Sequence, residues 1–208
     1  MKYSDNLINN YPELSYCKDT IDSISAAIIN LHKCGGKVLI CGNGGSASDS
    51  EHISGELLKG FMLKRSVDGE QKELLTQKFG DVYSVEKLQK GIPAIPLPSL
   101  ISAGTAFSND VDPELVFAQL VFSLGKQEDI LLCLSTSGNS KNIVKAAKLA
   151  AAMGLITVAL TGSSESELSR ICDYTIRVPA TETYRVQEYH LPIYHAICAD
   201  VEDALFGK

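Results

Sequence analysis

The chain has 208 residues, of which 45% are hydrophobic, and its formal net charge is −6. This length is enough for one well-buried domain and leaves no room for two large ones. The chain lacks the basic stripe with which a nucleic-acid-binding protein neutralises phosphates. It also lacks an apolar run of the roughly 20 residues needed to cross a bilayer, so we expect no membrane partner.

The cysteines and the N-terminal residues indicate in which cellular compartment the protein is found. The six cysteines form no CxxC pair, and several lie in apolar runs where a free thiol acts as a small hydrophobic side chain. Residues 1–15 contain no apolar segment of the kind found in secretory signals. We therefore expect a reduced, cytoplasmic protein.

Helical and strand-like patterns alternate along the chain. The N-terminal segment 1–35 is helical in character, with its clearest pattern at about 18–33. Short apolar runs that are typical of strands buried on both faces follow at 37–41, 93–97, 129–135, 155–160 and 174–178. Helical patterns occupy 46–59, 113–124, 140–153, 165–171 and 183–206. This alternation predicts an α/β fold with a parallel sheet covered by helices on both faces.

Residues 62–92 interrupt the alternation with a highly charged excursion of mixed sign. One interpretation is a solvated loop that contains a short helix. The other is a lid or a subunit-contact element near the mouth of a site, because connections of this length in compact domains are uncommon and often functional. We favour the second interpretation.

Two turns of small residues each follow a predicted strand and precede a predicted helix. They read GNGGS at 42–46 and STSGNS at 135–140. Each alone is also a good turn and helix-capping sequence. Helix N-termini attract anions, glycines let a ligand approach the backbone, and hydroxyls add donors. Because neither turn matches a nucleotide-binding motif, the pair predicts a site for a small phosphorylated metabolite.

A second group of polar residues lies on two of the predicted helices. His52 and Glu56 are four residues apart and share a helical face. Gln187 and His195 are eight apart on the last helix, offset by roughly 80°, so they can point to one side. Taken singly, each could be an ordinary surface residue, and Glu56 could simply pair with Lys59. Together, two imidazoles and two oxygen donors suit zinc or a similar divalent ion.

These motifs resemble those of the phosphoheptose isomerase family of sugar isomerase (SIS) domain proteins. The resemblance rests on GNGGSxxDxxHxxxEL at 42–57, ND at 109–110, STSGNS at 135–140 and RxQExHxxxxH at 185–195. It covers nearly the whole chain apart from 62–92. It implies that residues 1–208 form a single SIS domain, a three-layer sandwich with a five-stranded parallel sheet and flavodoxin-like topology. It also implies a homotetramer with sites shared between subunits.

The resemblance further implies a role for each motif residue. It assigns the binding of the phosphosugar substrate to Asn43, Gly44, Gly45, Ser46, Glu56, Asn109, Asp110, Ser135, Thr136, Ser137, Ser140 and Gln187. It assigns the binding of one zinc ion per site to His52, Glu56, Gln187 and His195. Glu56 and His195 are also its catalytic residues.

The implied reaction converts sedoheptulose 7-phosphate to D-glycero-D-manno-heptose 7-phosphate through an enediol. It needs a base that removes a carbon-bound proton and an acid that protonates the carbonyl oxygen, roles that His and Glu can fill. We assign His195 as the carbon base and Glu56 as its acid–base partner.

Two alternatives stay open. The first is a non-catalytic SIS-domain protein that binds a sugar phosphate or the replication initiator; retention of all four His, Glu and Gln residues favours the enzyme. The second is an isomerase of a different phosphosugar. It is supported by departures from the family pattern, such as Tyr184 where an acidic residue is common.

Overall fold

The structure is a computed structural model that describes residues 2–207. In this part of the chain, five parallel strands form one sheet in the order β2-β1-β3-β4-β5. The strands are β1 (Val38–Gly42), β2 (Ala94–Pro96), β3 (Ile130–Leu134), β4 (Ile156–Thr161) and β5 (Tyr174–Arg177). This order is that of the flavodoxin-like doubly wound fold, so the predicted fold class and topology are confirmed.

Strand lengths follow the burial of each strand. The central strands β1 and β3 are buried along their whole length, which explains their uninterrupted apolar sequences. The predicted strand 93–97 is longer than β2, which has three residues. Proline has no N–H to give to a sheet, so Pro93 and Pro96 suit the edge position that β2 occupies.

Helices surround the sheet. Before the excursion they are α1 (Tyr3–Asn10), α2 (Lys18–Lys33) and α3 (Gly45–Leu58). Within it they are α4 (Gly69–Phe79) and α5 (Val82–Lys87). Beyond it they are α6 (Ile101–Asp110), α7 (Val116–Leu124), α8 (Lys141–Ala152), α9 (Glu167–Ile171) and α10 (Thr183–Phe206). None of the helices within residues 2–207 is both long and apolar enough to cross a membrane.

The core has two layers, one on each face of the sheet. Alternate strand residues point to opposite faces. Val38 and Ile40 of β1 therefore pack with α2, α3 and α10, while Leu39 and Cys41 pack with α7 and α8. This arrangement places α3 and α10 side by side on one face of the sheet.

The sequence did not predict α6. None of residues 101–110 is buried in the single chain, so this helix has no apolar stripe of the kind that marks a core-facing helix. Helix α1 is also weakly marked in the sequence. Its first N–H groups, those of Tyr3 and Ser4, donate to the Asp200 carboxylate on α10, at 2.6 and 3.0 Å.

The excursion begins and ends at a narrow neck. Ser66 and Gln89 form an isolated antiparallel bridge, and the Lys90 N–H donates to the Arg65 carbonyl at 2.7 Å. Beyond the neck, α4 and α5 contact each other, and none of residues 69–79 is buried. The neck is therefore anchored to the domain, while α4 lies at its surface.

A buried ion pair holds the neck. Arg65 Nε donates to Glu202 Oε1 at 2.6 Å, and both side chains are fully buried. The other guanidinium nitrogens donate to the carbonyls of Leu57 and Glu56, which lie in the last turn of α3. Burial raises the pKa of the Glu202 carboxyl, but N–H donors from the turn at 61–63 and Arg65 offset it and leave the pKa below its ordinary value.

We predict that Glu202→Gln destabilises the protein by roughly 3–5 kcal/mol, because it leaves the Arg65 guanidinium buried without a counter-charge. Chemical denaturation followed by circular dichroism measures this change. Glu167→Gln is the matched control, since it removes a carboxylate from the exposed pair with Lys148. It should change stability little. Equal losses in the two variants would contradict the prediction.

Candidate active site

The two small-residue loops lie next to each other at the carboxyl edge of the sheet. The first, 42–46, links β1 to α3, and the second, 135–140, links β3 to α8. Strands β1 and β3 are neighbours in the sheet. The chain leaves β1 towards one face of the sheet and leaves β3 towards the other face. In open α/β sheets, ligands bind at the position where neighbouring connections diverge in this way.

Glycine gives the first loop its shape. Gly44 has φ +56°, a left-handed conformation that other residues rarely adopt. A Cβ on Gly45 would lie 2.6 Å from Gln187 Nε2, so a larger residue here would force this side-chain amide to move. The predicted residues Asn43, Gly44 and Gly45 are exposed, whereas Ser46 is buried in the first turn of α3.

The second loop presents hydroxyls at the start of α8. Ser135 Oγ and Ser140 Oγ lie 3.1 Å apart, and Ser137 Oγ accepts the N–H of Asn139 at 3.2 Å. Ser137 is exposed, Thr136 and Ser140 are half-buried, and Ser135 is buried. The loop can therefore offer hydroxyls and a helix N-terminus to one anionic group.

Asn142, which the sequence analysis missed, joins the two loops. Its amide exchanges two hydrogen bonds with that of Asn43, both 3.0 Å long. A cavity of about 620 Å³ opens beside this pair and is also lined by Asn109. Asn109 donates to Asp110 at 2.8 Å, and both residues are exposed.

Three of the four residues predicted to bind metal meet within the single chain. His52 Nε2 lies 3.3 Å from Glu56 Oε1 and 3.4 Å from His195 Nε2. The Glu56 side chain is only 15% exposed, so it is not a solvated surface charge. Glu56 Oε2 is buried without a hydrogen-bond partner, and Lys59 Nζ is 3.7 Å away, too far for a hydrogen bond. An unsatisfied buried carboxylate oxygen is costly and suits a site that binds a further group.

The surroundings of His195 favour its neutral form. Burial, and then the nearby His52, lower the pKa of its imidazole below the ordinary value. The ring packs against Phe61 with a centroid distance of 5.5 Å. A neutral imidazole with a free lone pair can accept a proton or bind a metal ion.

Gln187 lies elsewhere on α10. Its amide packs against Gly45 in the first loop. No hydrogen bond within residues 2–207 connects it to His52, Glu56 or His195. Eight residues of helix separate it from His195, which corresponds to about 12 Å along the axis. The single chain therefore places Gln187 with the loop and not with the other three residues.

The donor set fits zinc in type and in pair distances. Two ligands of a tetrahedral zinc ion lie about 3.3 Å apart when each is ~2.0–2.1 Å from the metal. The pairs His52–Glu56 and His52–His195 have this separation. Within residues 2–207, however, no three His, Cys, Asp or Glu side chains already form a metal-binding group.

His190 does not belong to this cluster. Its imidazole is fully buried and faces the Thr161 carbonyl at 3.5 Å, at the end of β4. Burial lowers the pKa of His190 to about 4, so the ring is neutral at physiological pH. The sequence could not decide this orientation, because His190 lies on the same helix between Gln187 and His195.

Comparisons with known proteins agree with this geometry. A family model described as the SIS domain matches residues 103–199. The chain is 39% identical over 188 residues to phosphoheptose isomerase 2 from Campylobacter jejuni, covering 90% of this chain and 82% of that protein. It is 37% identical over 186 residues to phosphoheptose isomerase from Aneurinibacillus thermoaerophilus, with coverages of 89% and 82%.

A solved structure shares the fold over nearly the full length. The phosphoheptose isomerase from Francisella tularensis superposes with a TM-score of 0.74 at 28% identity, covering 97% of this chain and 95% of that one. Identity above 35% to the two sequence relatives, over most of each chain, is decisive for membership. The chain belongs to the phosphoheptose isomerase family of SIS-domain proteins.

Proposed function

We propose that the protein is an aldose–ketose isomerase that converts sedoheptulose 7-phosphate to D-glycero-D-manno-heptose 7-phosphate. The observation that carries the proposal is the meeting of His52, Glu56 and His195 within one chain. Relatives at 37% and 39% identity bear the name phosphoheptose isomerase. Glu56 and His195 can act as an acid and a base. Their presence in a member of the phosphoheptose isomerase family supports proton transfer on a phosphosugar.

The two loops supply the proposed substrate site. The hydroxyls of Ser135, Thr136, Ser137 and Ser140, with the N-terminus of α8, bind the phosphate. The sugar chain lies along the first loop, residues 43–46, and reaches Asn109 and Asp110. Gln187 also binds substrate here, a role that its position beside Gly45 supports.

His195 and Glu56 perform the proton transfers. The neutral His195 imidazole removes the proton from C1 of the ketose and returns it to C2 of the enediol. Glu56 moves a proton between the carbonyl oxygen and the adjacent hydroxyl. Each positioned acid or base contributes typically ~10²–10⁴-fold to such a rate. Burial lowers the pKa of His195 below its ordinary value, and the neutral ring that results has a lone pair that can accept a proton, which supports its assignment as the base.

We propose that zinc binds this site through His52, Glu56 and His195, and that His195 acts as the base only when its lone pair is not bound to the metal. Gln187, the fourth ligand that the motif predicts, lies beside Gly45 and not with these three residues. The unsatisfied Glu56 Oε2 and the two ligand-like separations support the metal. When bound, zinc would polarise the oxygens of the substrate and hold them in position.

We further propose a cytoplasmic homotetramer. Ile101 at the start of α6, Val111 just after its end and Phe122 on α7 are 70%, 66% and 62% exposed in the single chain. Contact with other subunits would cover these three apolar side chains, which supports the proposed assembly. All six cysteines are free thiols, which suits a reducing compartment.

The first test is turnover. We expect the purified protein to convert sedoheptulose 7-phosphate to the aldose, and metal removal by a chelator to lower the rate. Glu56→Gln and His195→Gln should each lower kcat at least about 100-fold while circular dichroism stays unchanged, because each removes one proton-transfer group.

Glu188→Gln is the control for this test, since it lies on α10 in an exposed pair with Arg185. It should keep its activity. If Glu56→Gln or His195→Gln keeps kcat within about threefold of wild type, the assigned roles are wrong. Turnover of a hexulose phosphate in place of the heptose would support the alternative isomerase.

The phosphate assignment has its own test. We expect Ser137→Ala to raise KM for the phosphosugar by roughly 10-fold or more with little change in kcat, because a hydrogen bond to a charged group is worth about 1.5–3 kcal/mol. Steady-state kinetics measures the split between KM and kcat. The control is Ser123→Ala, an exposed hydroxyl at the far end of α7. An unchanged KM in Ser137→Ala would remove this residue from the phosphate site.

We predict that the protein is found in the cytoplasmic fraction of its source cells. We also predict that its native mass is that of four chains. Light scattering coupled to size-exclusion chromatography gives this mass. Ile101→Asp should shift the mass toward smaller species, because it puts a charge on the exposed face of α6. A monomer from wild-type protein would contradict the proposed assembly.

A further inference from the structure

The Arg65 guanidinium is bonded to the backbone of the proposed acid–base partner, Glu56. Its Nη2 donates to the Glu56 carbonyl at 2.9 Å, and its Nη1 donates to the Leu57 carbonyl at 2.6 Å. Both carbonyls lie in the last turn of α3, and the Arg65 side chain is fully buried. Two donors of one rigid fork therefore hold the turn of helix that carries the Glu56 carboxylate.

The position of the Glu56 carboxylate depends on the backbone that carries it. Within residues 2–207, Glu56 Oε2 has no hydrogen-bond partner, and Oε1 lies 3.3 Å from His52 Nε2. Because hydrogen bonds to the carboxylate do little to fix it, a shift of the last turn of α3 would move the carboxylate with it. The backbone bonds from Arg65 oppose such a shift.

The same guanidinium is linked to the surroundings of the proposed base, His195. Arg65 Nε donates to Glu202 Oε1 at 2.6 Å, and this oxygen also accepts the N–H of Phe61 at 2.7 Å. The Phe61 ring packs against the His195 imidazole at a centroid distance of 5.5 Å. Glu202 itself lies about two helical turns after His195 on α10. The ion pair therefore holds both the helix that carries the imidazole and the ring that packs against it.

We propose that Arg65 is a positioning residue for the isomerisation, which sets the separation between the Glu56 carboxylate and the His195 imidazole by bonding α3 and α10 at once. This inference rests on the proposed function, in which both groups transfer protons on one substrate. Such transfer needs distances of roughly 2.6–3.2 Å, and a displacement of about 1 Å can lower the rate ~100-fold. The proposed phosphate loop, 135–140, leads into α8 on the opposite face of the sheet. Loss of Arg65 should therefore lower kcat and leave KM almost unchanged.

The test compares Arg65→Lys with wild type. Lysine keeps a positive charge for Glu202, but its ammonium lacks the planar fork that bonds Glu202 and both α3 carbonyls together. We expect kcat per folded molecule to fall roughly 10–100-fold, with little change in KM for sedoheptulose 7-phosphate. Steady-state kinetics gives both constants, and denaturation curves followed by circular dichroism give the folded fraction. A kcat within about threefold of wild type would overturn the proposal.

Asp129→Asn is the matched control for lost stability. Asp129 is buried, accepts a hydrogen bond from Lys37 Nζ at 2.5 Å, and lies just before β3, at the amino edge of the sheet and away from the site. Like Arg65→Lys, this variant disturbs a buried ion pair, so it should also lower the denaturation midpoint. It should leave kcat per folded molecule unchanged. An equal fall in kcat in the two variants would show that Arg65 acts only through stability, which would overturn the proposal.

Hydrogen exchange followed by mass spectrometry is a readout that needs no turnover. The segment 56–63 contains the end of α3 and the turn whose N–H groups donate to Glu202. In Arg65→Lys its amides should exchange at least about tenfold faster than in wild type, because their local opening becomes easier. Asp129→Asn should show no such change confined to this segment. Unchanged exchange at 56–63 in Arg65→Lys would also overturn the proposal.

A second variant serves if Arg65→Lys fails to fold. The double variant Arg65→Met with Glu202→Gln removes the fork but leaves no buried charge unpaired, so it should fold and still lose kcat. The two proposals can fail separately. If wild type does not isomerise the heptose phosphate but exchange at 56–63 rises only in the Arg65 variants, the proposed function fails and the role of Arg65 in holding α3 against α10 stands.

Discussion

One guanidinium joins the two helices that carry the polar cluster. Arg65 donates to two carbonyls in the last turn of α3 and to Glu202 of α10, and its side chain has no exposure to solvent. Its five N–H groups form a fixed fork, and an unpaired charge at this depth is costly. Arg65 thus links the C-terminal end of α3 to α10, and the excursion leaves the domain from this same point.

This packing brings distant residues together in matching order. Gly45 contacts Gln187, and seven residues further along each helix His52 contacts Tyr194. Two helices that run the same way from one edge of the sheet keep such a register over two turns. The contact between Gly45 and Gln187 therefore lies at the first loop. The contact between His52 and Tyr194 lies two turns further along the helices, beside Glu56 and His195.

Elements with a strong local signal were predicted well, and the others depend on distant contacts. Strands β1 and β3 are buried on both faces and are uniformly apolar, which identified them. The N–H groups that begin α1 are capped by Asp200, almost two hundred residues away, which no local pattern reveals. Helix α6 buries no side chain in the single chain, so its sequence has no apolar periodicity.

The sequence by itself determined the alternation of strands and helices, the two small-residue loops and the residue types of the site. These follow from local periodicity and from chemistry at fixed spacing. The tertiary structure decided which of those side chains meet: His52, Glu56 and His195 come together, Gln187 lies at the first loop, and His190 is buried against β4. Helical spacing gives the direction of a side chain along one helix, but the neighbour it reaches depends on how two helices pack.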